Sequence, residues 1–259
     1  MAREARKKSR TGIYFIHINW KENFKPFKDR NDYNFAINYL YISSLKYSCD
    51  IFAYSFDNLC ARFIIQENIY ENCPKFIQSF LSSFSSEINK KYQRRGGITK
   101  DRYISIPIEE SSSLLQAVLF IHNTSSCHEH SSADEYVSNK TNGICERQKF
   151  FSIIGLSNKE FEEAKENLYS LPKEFIKTCK RDNAYLKKLI KDNFGIQANQ
   201  IKNLEKNKRD KILKDLRLKY YLTIKEIKAI TGISGGIIAA AGNTPKKKSP
   251  VKQDEIWLL

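Results

Sequence analysis

Six cations stand within thirteen residues of this chain: Lys90, Lys91, Arg94, Arg95, Lys100 and Arg102, set around a Gly96-Gly97 pair. Side chains of one sign at that density displace the counterions of a phosphate backbone, and two glycines let such a backbone come close. Tyr92 and Tyr103 lie in or beside the same stretch. Rings placed there either stack on unpaired bases or serve the core. The plainer alternative for the cations is a run of charge that faces water. Lys225 and Lys228, far along the chain, are two further candidates for phosphate contacts.

Residues for metal or covalent chemistry are sparser. Cys127-His128-Glu129-His130 is the only His-rich cluster. His128 and His130 are two apart, which on an extended backbone turns both imidazoles to one side. The cluster sits among serines, however, where such residues most often only face water. His17, in the first strand, is a candidate for a DNA-facing position, against the commoner role of a lone structural histidine. His122, at a helix end, reads as structural or capping. Ser85 and Ser86 are of nucleophile type, but no base neighbours them in sequence. The cysteines at 49, 60, 73, 127, 145 and 179 form no CxxC pair and resemble no disulfide framework. That usage fits a reducing, cytoplasmic compartment.

The charge is polarised. The net charge is +15; residues 1–30 carry nine Lys/Arg against three acids, residues 201–252 fourteen against four, and the middle is near neutral. Basic ends on a neutral middle suggest a polyanion partner, most often nucleic acid. Solubility, or lysine-rich usage in an AT-rich genome, explains the charge alone equally well. No apolar run approaches the roughly 20 residues of a membrane span. The basic N-terminus also lacks the apolar segment and cleavage site of a secretory signal.

The elements that must position these residues follow from periodicity. Residues 12–19, GIYFIHIN, are β-branched and aromatic and predict a strand. Asp29 or Asn31 can cap a helix running to about Lys46. IFAYSFDNLCARFII at 51–65 predicts a hairpin around Asp57-Asn58. Strict alternation puts Ile51, Ala53 and Ser55 on one face of its first strand and Phe52, Tyr54 and Phe56 on the other. In 71–92, Phe76, Phe80, Phe84 and Ile88 recur every four residues, a helical stripe. Residues 103–108 alternate as a strand, and 110–122 are helical. The order is β-α-β-β-α-β, that of a ferredoxin-like, split βαβ domain of the α+β class. Such a sheet is expected to pack helices on one face and to leave the other open to a ligand.

The remainder divides into a polar linker at 126–147, a helical region at 148–242 and a basic, disordered tail at 243–259. Short helices are expected at 158–168, 172–179 and 182–193, and a longer one at 208–220. Within about 198–242, Thr223 and Glu226 form a capping box, Gly232 supplies a turn and Ser234 can cap a last helix. That is helix-turn-helix grammar. Its last helix holds glycines and alanines but no Arg, Lys, Asn or Gln, so sequence-weak contact is the expectation, with a packing module as the alternative.

The opening MAREARKKSRTGIYFIHI resembles the start of the REP-associated tyrosine transposase family, in the IS200-like, HUH single-tyrosine class. FAY-xx-DN at 52–58, INKKYQRRGG at 88–97, DRYISIPIEE at 101–110, LLQAVLFIHN at 114–123 and GLSNKEFEEA at 155–164 extend the resemblance. It implies a domain over residues 1–125 that binds single-stranded or hairpin DNA, acts as a monomer or possible homodimer, and serves DNA transposition. It also implies a His-apolar-His pair holding Mg or Mn and a tyrosine that attacks the metal-polarised phosphate. This chain departs from that pattern. Leu59-Cys60-Ala61 stand where the paired histidines belong, and Phe84-Ser85-Ser86-Glu87 where the tyrosine belongs. Neither Leu59 nor Ala61 can ligate a hard cation, and Cys60 prefers softer ones. No catalytic residue, metal or cofactor is therefore assigned. The expectation is a DNA-binding member degenerate for cleavage. The alternatives are an active nickase with ligands from elsewhere, such as His17 or His128 and His130, and a non-catalytic regulatory or structural module.

Overall fold

The structure is a computed structural model. It describes residues 6–22, 24–124, 130–137, 143–166 and 183–242. The described residues up to Glu162 form one compact unit and those from Glu163 a second.

The first unit opens on β1 (Ile13–Asn19), followed by α1 (Arg30–Tyr47), β2 (Cys49–Phe56), β3 (Cys60–Glu67), α2 (Asn72–Lys91) and β4 (Ile104–Pro107). The four strands lie in the order β2-β3-β1-β4, every neighbour antiparallel. This is the expected split βαβ arrangement. Gly12 leads into β1 with φ +68°, and a Cβ there would stand 2.7 Å from the Glu67 carbonyl oxygen. Only glycine fits both the backbone and the space. Asp29 caps α1 reciprocally with Asp32, a box that satisfies donors at both residues.

One face of the sheet carries Tyr14, Ile16, Ile18, Ala61, Phe63 and Ile65, packed with the Phe76-Phe80-Phe84-Ile88 stripe of α2 and with Ala36 and Leu40 of α1. Strict alternation fails in β2. The register shifts between Ile51 and Ala53, so Ile51 pairs with Ile65 and Tyr54 with Phe63. The extra residue, Phe52, is a β-bulge. It brings Ile51 into the same core as Tyr54 and Phe56, instead of opposite them.

The second correction concerns the other face, which was expected to be open. α3 (Ser111–Thr124), α4 (Ala133–Val137) and α5 (Arg147–Ile154) follow in this unit, α6 (Asn158–Glu166) runs across its boundary, and helices cover that face. Phe15, Phe52, Ile64, His17 and Arg62 are all buried. The Phe15 ring meets Phe120 of α3 at 6.0 Å, and Phe52 meets Phe150 of α5 at 6.3 Å. In α3, Leu114, Leu115, Ala117, Val118, Leu119, Phe120 and Ile121 are all buried. A helix apolar over most of its circumference, with only Ser113, Gln116 and Asn123 partly exposed, packs between layers.

Part of the expected polar linker is built into this cover. Ser132 donates its backbone N–H to the Tyr54 carbonyl at 3.0 Å and accepts the Tyr54 N–H on its hydroxyl at 3.0 Å. The Tyr136 hydroxyl donates to the Phe52 carbonyl at 2.5 Å. β2 is an edge strand, and these partners satisfy backbone groups that would otherwise be unpaired.

The second unit holds α7 (Asn183–Phe194), a 3₁₀ helix (Ala198–Asn203), α8 (Lys206–Leu218), α9 (Ile224–Thr231) and α10 (Gly235–Ala241). Leu186, Ile190, Ile201, Leu213, Leu216, Ile227 and Ile238 form its core. Thr223 makes the expected capping box with Glu226, and Gly232 ends α9 with φ +73°. Ser234 stands at the N-cap of α10 but makes no side-chain capping bond. The expected helix at 172–179 and the tail at 243–259 lie outside the described residues. Among the described residues no helix is long and apolar enough to cross a membrane.

Candidate nucleic-acid interface

The positions where cleavage chemistry was sought lie at the hairpin turn and on the middle of α2. Leu59 follows Asp57, whose carboxylate accepts the backbone N–H groups of Leu59 at 2.7 Å and Cys60 at 2.8 Å. This is an Asx-type turn. Leu59 is half-buried, while Ala61 has no exposure and belongs to an aromatic core with Trp20, Phe27, Phe56 and Phe84. Phe84 stacks with Phe27 at 5.5 Å and with Phe80 at 5.8 Å, and tilts against Trp20 at 6.0 Å. Trp20 is fixed by its indole N–H, which donates to the Asp57 carbonyl at 2.8 Å. The space beside Ala61 is thus filled with rings.

The neighbours of Phe84 do other work. The Tyr39 hydroxyl donates to Glu87 at 3.2 Å, tying α1 to α2. Ser86 is exposed, and Ser85 lines a surface cleft. Cys60 is buried, with its thiol 3.6 Å from the Asp57 carboxylate. His17 pairs across the strands with Arg62, on the face of the sheet opposite Ala61. It is buried, and one ring nitrogen lies 2.9 Å from the Asn19 side-chain oxygen. His122 is buried too, 2.9 Å from the Ser132 hydroxyl. His130 stacks flat on Tyr33 at 3.3 Å. Cys127, His128 and Glu129 lie outside the described residues. Among the described residues no group of three or more His, Cys, Asp or Glu is placed to hold a metal ion.

The six clustered cations separate into two sets. Lys91 binds Asp29 and Asp32, each at 2.7 Å. Asp32 also accepts the Tyr92 hydroxyl at 2.6 Å. Burial alone would raise the Asp32 carboxyl, but the hydrogen bonds from Lys91 and Tyr92 outweigh it and hold the group below its ordinary range. Lys100 pairs with Glu22. The Arg94 guanidinium lies 3.7 Å over the Phe24 ring, a cation–π contact. Those three charges are committed within the protein. Lys90, Arg95 and Arg102 are exposed, with no acidic partner among the described residues. Tyr92 lies under Lys28, whose ammonium is 3.8 Å above the ring.

The loop that carries them is held firmly. The Asn89 side chain donates to the Gly96 carbonyl at 2.8 Å. Lys21 donates its N–H to the Ile98 carbonyl at 2.9 Å, and Lys100 its own to Asn19 at 2.9 Å. Between this loop and α2 runs a cleft of about 660 Å³. Ile77, Leu81 and Ser85 form one wall, and Thr99, Arg102 and Tyr103 the other. Arg6 closes it from the N-terminal arm, with its guanidinium 3.7 Å over the Tyr103 ring. Arg6 was not singled out in the sequence beyond the general basicity of the arm. Its partner lies 97 residues away, and no local pattern signals that contact. In the second unit Lys225 and Lys228 are exposed on α9.

No family model matches the sequence, and no curated protein matches it. Seven solved chains are similar in chain trace, two of them as follows. One is a REP-associated tyrosine transposase bound to a REP hairpin, with TM-score 0.46 and 12% identity, covering 54% of this chain and 87% of that one. The other is a candidate transposase from Deinococcus radiodurans R1, with TM-score 0.34 and 9% identity, covering 43% of this chain and 89% of that one. At these values both are distant, partial likenesses of fold.

Proposed function

We propose that this protein binds single-stranded or hairpin DNA of the kind handled by transposases and does not cut it. The observation that carries the reading is the edge where α2 ends. Three exposed cations without an acidic partner among the described residues, Lys90, Arg95 and Arg102, stand beside a cleft walled by Tyr103 and crossed by Arg6. A groove that offers both charge for phosphates and a ring for an unpaired base suits single strands better than a plain duplex. The sequence resemblance to REP-associated tyrosine transposases points to the same partner and makes a short DNA hairpin the first probe. The reading of lost cleavage is supported by the packing around Ala61, where rings occupy the space that a metal and its ligands need. Ser85, on the α2 segment where the resemblance puts the tyrosine, lines the same cleft.

The test is fluorescence anisotropy of the full chain with labelled hairpin and single-stranded DNA over a salt series. Affinity should fall steeply as salt rises, because phosphate contacts release counterions. Absence of binding at low salt would overturn the reading in favour of a structural or regulatory module.

A further inference from the structure

Beside the cleft just described lies a second, of about 480 Å³, that shares Arg6, Arg102 and Tyr103 with it. Its volume is in the range of sites that hold small ligands. Arg6, Lys7, Lys8, Lys75 and Arg102 contribute to its lining, against Glu67 and Glu71. Lys8 is paired with Glu71 at 2.9 Å. The other carboxylate, Glu67, is buried, an acidic group lining a basic cleft. We infer that this cleft reads one unpaired guanine of a bound strand.

The inference rests on the DNA-binding reading above and adds base choice to it. Each Glu67 carboxylate oxygen has one protein donor: the Tyr14 hydroxyl at 3.3 Å on one, the Cys73 backbone N–H at 2.9 Å on the other. An ionised carboxylate accepts more than two hydrogen bonds, so it retains acceptor capacity. The Tyr103 hydroxyl is buried and has no hydrogen-bond partner among the described residues. A buried hydroxyl without a partner is costly and marks a place where a ligand group can supply one. The lining therefore offers an acceptor pair and a donor.

Guanine alone among the four bases has two adjacent donors, N1–H and N2–H, beside an acceptor, O6. Thymine presents a single N–H between two carbonyl oxygens, and cytosine and adenine each present one amine beside a ring-nitrogen acceptor, so each gives a carboxylate at most one hydrogen bond along that edge where guanine gives two. Around the mouth, Tyr70 is 62% exposed, with the Lys8 ammonium 4.9 Å over its ring, and a base that takes the place of Lys8 can stack on it. The cations near it would hold the flanking phosphates, as a basic groove tracks a strand.

The experiment uses the full chain and thymidine tracts that carry a single central guanine, hypoxanthine, adenine or no substitution. Hypoxanthine keeps O6 and N1–H but lacks the amine at position 2. The guanine tract should bind about tenfold tighter than the hypoxanthine tract, in line with a bidentate base contact. Glu67→Gln should remove that preference while leaving the salt dependence. Tyr103→Phe, which keeps the ring, should lower guanine affinity and spare the thymidine tract. Should Glu67→Gln unfold the protein, the Tyr103→Phe comparison still decides. Equal affinity for all four tracts, with salt-dependent binding intact, overturns guanine reading and leaves DNA binding standing. No binding to any tract at low salt overturns both.

Discussion

Placing a histidine at position 61 tests the reading that packed side chains, and no ion pocket, surround Ala61. Ala61 has no exposed surface and shares its core with Trp20, Phe27, Phe56 and Phe84. It is paired across the strands with Ile18 and with Phe56. An imidazole in that place must push rings that already lie 5.5 to 6.0 Å from one another. Overpacking of a tight core costs about 1–3 kcal/mol. Burying an imidazole without a hydrogen-bond partner adds about 1–3 kcal/mol more. The expected loss for Ala61→His is therefore about 2–6 kcal/mol, which lowers the melting temperature by roughly 5–20 °C for a domain of this size. Leu59→His, at a half-buried turn position, should cost at most about 0.5 kcal/mol. Thermal unfolding of both single variants and the double variant, with and without Mn²⁺, reads the difference. A double variant with an unchanged melting temperature that rises further with Mn²⁺ would show that an ion pocket is still there, and the argument from packing would fall.

Three other outcomes follow from the same geometry. The combined change Lys90→Ala, Arg95→Ala and Arg102→Ala should lower the salt slope of single-strand binding by about 2, whereas Lys225→Ala with Lys228→Ala measures the share of the second unit. Asp32→Asn should cost about 1–3 kcal/mol by breaking the bonds to Lys91 and Tyr92. Because the folded Asp32 carboxyl is held below its ordinary range, its contribution is full above the unfolded value of about 3.9 and fades as pH falls through the folded value. Melting curves of the wild type should thus decline on acidification more steeply than those of Asp32→Asn. Incubation with hairpin DNA and Mg²⁺ or Mn²⁺ should give no covalent protein–DNA product on a denaturing gel, even after Ser85→Tyr is added; a stable adduct with the wild type would show that cleavage survives.

Much of the scaffold was legible because its signals are local. The β-branched run at 13–19, the four-residue stripe of α2, and the Asp29 and Thr223 caps act within a turn or a strand. That Leu59 and Ala61 cannot ligate a metal was legible from residue type, since neither side chain has a donor atom. The bulge at Phe52 was not legible, because one extra residue in an alternating strand leaves no mark until the partner strand fixes the register. The split among the six cations was hidden for a similar reason. Lys91 and Asp32 stand 59 residues apart, and a positive charge reads the same whether or not an acid waits for it. Glu67 and Tyr103, on β3 and just before β4, meet at one cleft only through the sheet order.

The closed second face was present in the sequence but outweighed by the fold pattern. From Leu114 to Ile121 only Gln116 is polar, a strip too narrow to be the water face of an ordinary surface helix, so α3 had to be enclosed over most of its circumference. Its natural seat is the face of β1, β2 and β3 away from α1 and α2, and that seat removes His17 and Arg62 from any ligand's reach. With both faces of β1, β2 and β3 covered, a long polyanion is better held at a rim of the sheet. One such rim with uncompensated charge among the described residues is the one where α2 ends and the chain turns toward β4. That is why the decisive variants lie at Arg102 and Glu67, and why changes at His17 should affect stability before they affect binding.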